Sequence, residues 1–90
     1  MIHIRYDHEA ERIRILKYLL ANRDSLSNLT QSQINQQLGY RRGTLYKFLY
    51  FLMGRGYIKC EEIGNVKLYR ITDEGVLYLE TCDHQEGGKD

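Results

Sequence analysis

The sequence predicts an α+β fold in which three helices lead into a two-stranded antiparallel hairpin and a last helix follows. Three observations predict it. Apolar residues recur at helical spacing in the middle of the chain, at Leu45, Phe48, Leu49 and Leu52. A helix start signal at Thr30 and a stop signal at Gly39 enclose a shorter helix before them. After them, two strand-like runs flank Gly64-Asn65, a pair typical of a hairpin turn.

Length and composition indicate a single globular domain. The chain has 90 residues, of which 42% are hydrophobic and 28% are charged, as in ordinary globular proteins. No apolar run approaches the roughly 20 residues that a membrane helix needs. The N-terminus has no apolar signal region, so we expect a cytoplasmic protein that does not contact a membrane. Two cysteines, Cys60 and Cys82, are too few for a disulfide framework.

The charge is unevenly distributed along the chain, although the net value is only +1. Between Ser25 and Cys60 there are five Lys and Arg residues and no Asp or Glu, whereas the rest of the chain has eight Lys and Arg against 12 acids. A basic centre between acidic ends would suit a protein that meets phosphate with one face. The alternative is an ordinary solvated surface, and charge alone does not decide between them.

The first helix is predicted over residues 7 to 22, with Asp7 as N-cap and with Glu9 and Glu11 in the first turn, where carboxylates suit the helix dipole. It carries two apolar stripes, formed by Ile13, Leu16 and Leu20 and by Ile15 and Leu19. One stripe would pack on the core of the domain, and the other could meet a second copy of the chain. Alternatively, the domain wraps this helix on both sides.

The second helix is predicted to be short and to present uncharged polar side chains. A brief strand over residues 26 to 29 precedes it, and Thr30 and Gln33 form a capping box in which each side chain satisfies the backbone N–H of the other. Gly39 ends the helix in the left-handed conformation. Its exposed side carries donors suited to phosphates, Gln31, Ser32, Asn35 and Gln36.

The third helix begins two or three residues after Gly39, and two helices joined by so tight a turn form a helix-turn-helix, in which the second can enter a DNA groove. Arg41 and Arg42 lie at its entrance. Since no residue there is a typical N-cap, the first N–H groups of the helix could bind a phosphate. The face opposite the apolar stripe has no carboxylate and carries Gly43, Tyr46, Lys47 and Tyr50.

The C-terminal part of the chain is predicted to form a wing and a closing helix. Residues 57 to 63 and 66 to 71 are the two strands of the wing, and Thr72 caps the last helix. The polar, glycine-containing end of the chain predicts a disordered tail. We therefore divide the chain into a domain over residues 1 to 82 and a tail over residues 83 to 90.

Four short motifs lie in register along residues 10 to 80. They are Leu29-Thr30 at the start of the second helix, Leu38-Gly39 at its end, Leu52-Met53-Gly54-Arg55-Gly56-Tyr57-Ile58 leading into the wing, and Tyr69-Arg70-Ile71-Thr72-Asp73-Glu74-Gly75 leaving it. With the order of elements, this pattern resembles the winged helix-turn-helix family, particularly the small bacterial and archaeal regulators of MarR and PadR type. The resemblance implies a winged helix-turn-helix fold and DNA binding.

The resemblance places the DNA-reading positions of that family on Arg41, Arg42, Thr44, Tyr46 and Lys47, and its wing-tip contact on Lys67. On chemical grounds, Arg can contact a guanine edge, Lys47 and Tyr50 can reach phosphate, and Gly43 lets the helix backbone approach the groove. The wing departs from this pattern because it carries Glu61 and Glu62, which would repel DNA. We therefore expect the third helix to do most of the binding.

The sequence thus predicts a sequence-specific, double-stranded DNA-binding regulator of transcription. Surplus apolar surface on the first helix, together with the cluster Val76, Leu77, Tyr78 and Leu79, predicts a homodimer through the first and last helices. The alternative is a winged-helix module for protein–protein interaction without DNA binding, because Tyr and Arg also favour protein interfaces. A binding affinity that falls steeply as the salt concentration rises would favour DNA binding over the protein-interaction module.

We predict no metal, cofactor or catalytic site. The three histidines and two cysteines include no CxxC or HxxxH pair, although Cys82-Asp83-His84 is the strongest local combination. A nucleophile, a base and an orienting group cannot be placed together, which argues against an enzyme.

Overall fold

The computed structural model describes the backbone of residues 8 to 89 and the side chains of that range except those of Arg42 and of residues 83 to 89. Its elements are helix α1 (His8–Ala21), a short 3-10 helix (Leu26–Leu29), helices α2 (Gln31–Leu38) and α3 (Arg42–Gly54), strands β1 (Ile58–Ile63) and β2 (Val66–Ile71), and helix α4 (Asp73–Lys89). This order and the antiparallel β1–β2 pairing form a winged helix-turn-helix, so the predicted α+β fold is confirmed.

Helix α1 has Glu9 and Glu11 in its first turn, as predicted, while the predicted N-cap Asp7 lies outside the described residues. Its fully buried residues come from both predicted stripes: Ile15, Leu16 and Leu19. The remaining stripe residues, Ile13 and Leu20, are partly buried against the same core. The core of the domain therefore buries much of the apolar surface of α1 that could have met a second copy of the chain.

The segment before α2 is a 3-10 turn, and the strand predicted over residues 26 to 29 is wrong. The Asn28 N–H donates to the Ser25 carbonyl over 3.0 Å, an i to i+3 bond that tightens the chain into one turn. Only Thr30 pairs with the sheet, through an isolated antiparallel bridge to Leu68 of β2.

Helix α2 begins at Gln31 and ends at Leu38, as predicted. The Thr30 hydroxyl oxygen accepts a hydrogen bond from the Gln33 N–H over 3.3 Å, which is one half of the predicted capping box. The other half, a bond from the Gln33 side chain to Thr30, is not formed. Gly39 has a φ of 77° and its N–H donates to the Asn35 carbonyl, so it closes the helix in the left-handed conformation.

Helix α3 buries the apolar stripe that the sequence predicted. Leu45, Leu49 and Leu52 have no exposed surface and Phe48 is 5% exposed. They pack with core residues from the other elements, among them Leu16, Ile34, Ile58, Leu68 and Leu79. This burial fixes which face of α3 is turned outward.

The hairpin pairs Ile58 with Ile71 at its base and Ile63 with Val66 at its tip. Gly64 in the turn has a φ of 63°, which a residue with a side chain rarely adopts. Both tip residues are exposed, Ile63 by 52% and Val66 by 46%.

Helix α4 closes the domain against α1 and the base of the wing. The Thr72 hydroxyl accepts from the Gly75 N–H over 3.1 Å, as expected of an N-cap, and donates to the Gly56 carbonyl over 2.6 Å. Further along, the ring of Tyr78 stacks on Tyr57 with centroids 4.5 Å apart.

The described backbone of α4 continues to Lys89, past Asp83, where the sequence predicts a disordered tail. The division of the chain into a domain and a tail stays a prediction. Within the described residues, none of the helices is long and apolar enough to cross a membrane.

Candidate nucleic-acid interface

The outward face of α3 carries the central residues of the predicted site. Gly43, Lys47 and Tyr50 are exposed, the last by 64%, and Tyr46 is half-buried. The rings of Tyr46 and Tyr50, one helical turn apart, stack with centroids 5.5 Å apart and planes 16° apart. The helix therefore presents a cation beside an ordered aromatic pair.

The N-terminal end of α3 has no side-chain cap. Arg41 occupies the N-cap position in an extended conformation, is exposed, and makes no capping hydrogen bond. The N–H groups of the first turn are thus open to an outside acceptor, as the sequence predicts. Arg42 begins the helix, and its side chain lies outside the described part of the structure. Thr44, in the same turn, is half-buried.

A cleft of about 390 Å³ lies between α2 and α3 and brings the two predicted contact surfaces together. It is lined by Gln31, Ser32, Asn35 and Tyr46, none of which is charged. The Asn35 side-chain oxygen is buried there without a hydrogen-bond partner. The sequence placed Asn35 with Gln31 and Ser32 on the exposed side of α2, but its side-chain oxygen is buried in the cleft.

The wing packs beside the aromatic pair of α3. Burial raises the pKa of Tyr69 on β2 to about 12, and Cys60, Tyr46 and Tyr50 nearby act in the same direction. Tyr69 is opposite Cys60 in the sheet, and Lys67 is opposite Glu62, two positions along. Because alternate pairs share a face of a sheet, Lys67 lies on the side that faces α3.

The acids of the wing have cationic neighbours. Arg70 donates its Nε–H to Glu61 Oε1 over 2.7 Å, and this hydrogen bond and the charge of Arg70 lower the pKa of the Glu61 carboxyl. Glu62 lies opposite Lys67. These cations reduce the repulsion that the two acids would exert on DNA. Glu62 in turn weakens the attraction of Lys67 for a phosphate.

The basic central segment is divided between two sides of the domain. The guanidinium of Arg55 lies 5.1 Å from the centre of the Phe51 ring, and Arg12 of α1 covers the same ring at 3.5 Å, so Arg55 lies with α1. Lys59 alternates with Cys60 along β1 and faces away from α3. Arg41 and Lys47 are the described cations of this segment that belong to the α3 surface.

The described residues contain no group of three His, Cys, Asp or Glu side chains that could hold a metal ion. Cys60 is exposed in the wing, whereas Cys82, a residue of α4, is buried. The two thiols are therefore in different environments.

Comparisons with known proteins find similar chains among the solved structures. No protein-family model matches the chain, and no curated protein matches it. A crystal structure of the AntR antimony-specific transcriptional repressor is similar to this chain, with 24% sequence identity, 99% of this chain and 91% of that chain covered, and a TM-score of 0.47.

Proposed function

We propose that the protein is a sequence-specific regulator of transcription that binds double-stranded DNA, with α3 in the major groove. The observation that carries this proposal is the outward face of α3, which is free of carboxylates and exposes Lys47 and Tyr50, the latter stacked on the half-buried Tyr46. A polyanion meets no repulsion there, and tyrosine rings offer contact to thymine methyl groups while their hydroxyls reach phosphate.

The ends of α2 and α3 would hold the DNA backbone on either side of that groove. The uncapped first turn of α3 suits a phosphate, with Arg41 beside it, and the Gln31 and Ser32 side chains at the start of α2 offer neutral donors. Arg42, Gly43 and Thr44 belong to the same proposed surface. Lys67 would add a contact from the wing, weakened by Glu62 opposite it.

We further propose that two copies act together, joined through α1 and α4. Leu77 is 59% exposed on α4 and lies among acidic exposed residues, while the exposed side of α1 carries Arg14 and Lys17. A twofold arrangement would pair the acidic side of each α4 with the basic side of the partner's α1. It would also place two α3 helices about one DNA turn apart.

Binding to a duplex tests the main proposal. Arg41→Ala combined with Lys47→Ala should abolish binding to a fluorescein-labelled random-sequence duplex, measured by anisotropy. The control, Arg23→Ala combined with Lys59→Ala, removes the same charge from exposed positions off the α3 surface and should leave binding nearly unchanged. Equal losses in the two double variants would refute a specific role for α3.

Salt distinguishes the alternative function, a protein-interaction module. The stacked pair of Tyr46 and the exposed Tyr50 favours that alternative, since aromatic residues are enriched at protein interfaces. If a dimer neutralises about six phosphates, duplex affinity should fall roughly a thousandfold between 50 and 200 mM salt. Affinity for a protein partner through the tyrosines should change far less. Absence of duplex binding at low salt would leave the interaction module as the better function.

Sedimentation tests the dimer. Leu77→Glu should convert a dimer into a monomer because it places a charge in the proposed interface. Leu26→Glu is the matched control, since Leu26 is 46% exposed and belongs to the 3-10 helix rather than to α1 or α4. A wild-type protein that stays monomeric at high concentration would refute this arrangement.

A further inference from the structure

The turn between α2 and α3 is tied to α1 by Tyr40. This residue is 5% exposed, and its ring packs on Phe48 of α3 with centroids 5.6 Å apart. Its hydroxyl donates a hydrogen bond to Glu11 Oε1 on α1. Burial raises the pKa of Tyr40, and the bond to Glu11 acts in the same direction, so the hydroxyl keeps its proton and remains a donor.

Arg14, one turn after Glu11 on α1, holds the end of α2. Its Nη2 donates to the Leu38 carbonyl over 2.9 Å, and its Nη1 lies 3.3 Å from Glu11 Oε1. Leu38 is the last residue of α2, so its carbonyl has no donor within the helix. The guanidinium also lies 5.3 Å from the centre of the Tyr40 ring. One side chain thus connects the end of α2, the turn and the carboxylate on α1.

These contacts differ in kind from the packing beneath the helices. The core between α1, α2 and α3 is apolar, with Leu16, Ile34 and Leu45 fully buried. Apolar contact depends little on direction, whereas a hydrogen bond weakens steeply when its angle changes. Because only three residues join α2 to α3, directional bonds at both the end of α2 and the turn restrict the angle between the two helices.

We infer that Glu11, Arg14 and Tyr40 are positioning residues for DNA binding. They hold α2 and α3 at the angle that lets the polar side chains of α2 and the outward face of α3 reach one duplex together. This inference rests on the proposed function, and none of the three side chains needs to touch the DNA.

Removing one tyrosine hydroxyl tests the inference, with a matched control at a tyrosine of α1. Tyr40→Phe deletes the bond to Glu11 and keeps the ring on Phe48. Tyr18→Phe deletes a comparable bond, since the Tyr18 hydroxyl on α1 donates to the Asn28 carbonyl over 2.8 Å, away from the turn. Both variants should lose a similar, small amount of thermal stability, which removes stability as an explanation of any difference in binding.

DNA affinity should separate the two variants. The probe is a labelled duplex of about 30 base pairs, enough for two half-sites, selected by the wild-type protein from a randomised pool. Tyr40→Phe should weaken binding to it roughly five- to tenfold, the effect of one hydrogen bond. Tyr18→Phe should weaken it less than about twofold, as expected of a site that does not touch the binding surface. Glu11→Gln, which keeps an acceptor for Tyr40, should bind better than Glu11→Ala.

A measurement without DNA separates failure of this inference from failure of the proposed function. Residual dipolar couplings of the backbone amides report the angle between α2 and α3 in the free protein. Tyr40→Phe should change that angle and Tyr18→Phe should not. An unchanged angle, or equal losses of affinity in the two variants, would refute the positioning role. If the wild-type protein binds no duplex, the proposed function fails, and the couplings alone decide whether the cluster sets the angle.

Discussion

Gly75 is the residue at which a single added methyl group should disturb the fold most. A Cβ at this position would lie 2.3 Å from the Tyr57 carbonyl oxygen and 2.7 Å from Cγ1 of Ile71. The oxygen belongs to the backbone and already accepts a hydrogen bond from the Thr72 N–H over 2.9 Å. The first turn of α4 could make room only by moving away from the base of the wing, which would strain that bond.

We expect Gly75→Ala to lower the free energy of unfolding by about 2 to 3 kcal/mol, the usual cost of overpacking a closely packed site. For a domain of this size the melting temperature should fall by roughly 10 to 20 °C. Circular dichroism during heating and urea titration measures both quantities.

Gly54→Ala is the control for this change. It adds the same methyl group near the end of α3, where a Cβ would have no atom within 4 Å. It should be neutral or slightly stabilising, because alanine favours helices over glycine. Equal melting temperatures for Gly75→Ala and Gly54→Ala would contradict the close approach of α4 to the Tyr57 carbonyl.

Three further predictions concern the α3 surface and the wing. Gly43→Ala should stabilise the protein by about 0.5 to 1 kcal/mol, since a Cβ there has no neighbour within 4 Å. The same change should weaken duplex binding in a fluorescence titration if the α3 backbone approaches the groove closely. The free energy of unfolding should be constant through neutral pH and fall as the pH rises from 10 to about 12, because the pKa of Tyr69 is 10.0 when unfolded and about 12 when folded. Urea titrations at rising pH should show a smaller fall for Tyr69→Phe. Glu62→Gln should strengthen duplex binding at low salt in an anisotropy titration, since it removes the carboxylate opposite Lys67 on the side that faces α3. It should barely change stability because both residues are exposed.

The sequence predicted α2 and α3 well because each carries a local signal at its start, its end or along its length. Thr30 and Gly39 mark the two ends of α2 through hydrogen bonds within a few residues of each other. The α3 stripe repeats at the helical period, so its buried and outward faces follow without knowledge of the rest of the fold. Predictions of this kind depend on short-range geometry, which a sequence shows directly.

Other features depend on contacts between distant elements and could not be predicted in the same way. Tyr40 was not among the predicted core or site residues, because nothing local indicates that its hydroxyl meets Glu11 of α1. Arg55 was counted with the basic centre, although Phe51 and Arg12 place it on the α1 side. The sum of charges along a segment does not assign them to faces, so the α3 surface has fewer cations than the sequence indicated.

This smaller charge makes dimerisation important for the proposed function. Among the described side chains, one protomer presents the cations Arg41 and Lys47 at the α3 surface, and Lys67 lies opposite Glu62, so a single copy would neutralise few phosphates. Since electrostatic affinity grows with the number of neutralised phosphates, two linked copies would bind far more tightly than one. By linkage, a duplex with two half-sites should in turn stabilise the dimer. Leu77→Glu should therefore weaken binding to a duplex with two half-sites, although Leu77 lies on α4. Affinity for a duplex with a single half-site should be unchanged. A loss of affinity for both duplexes would mean that the substitution disturbs the domain itself.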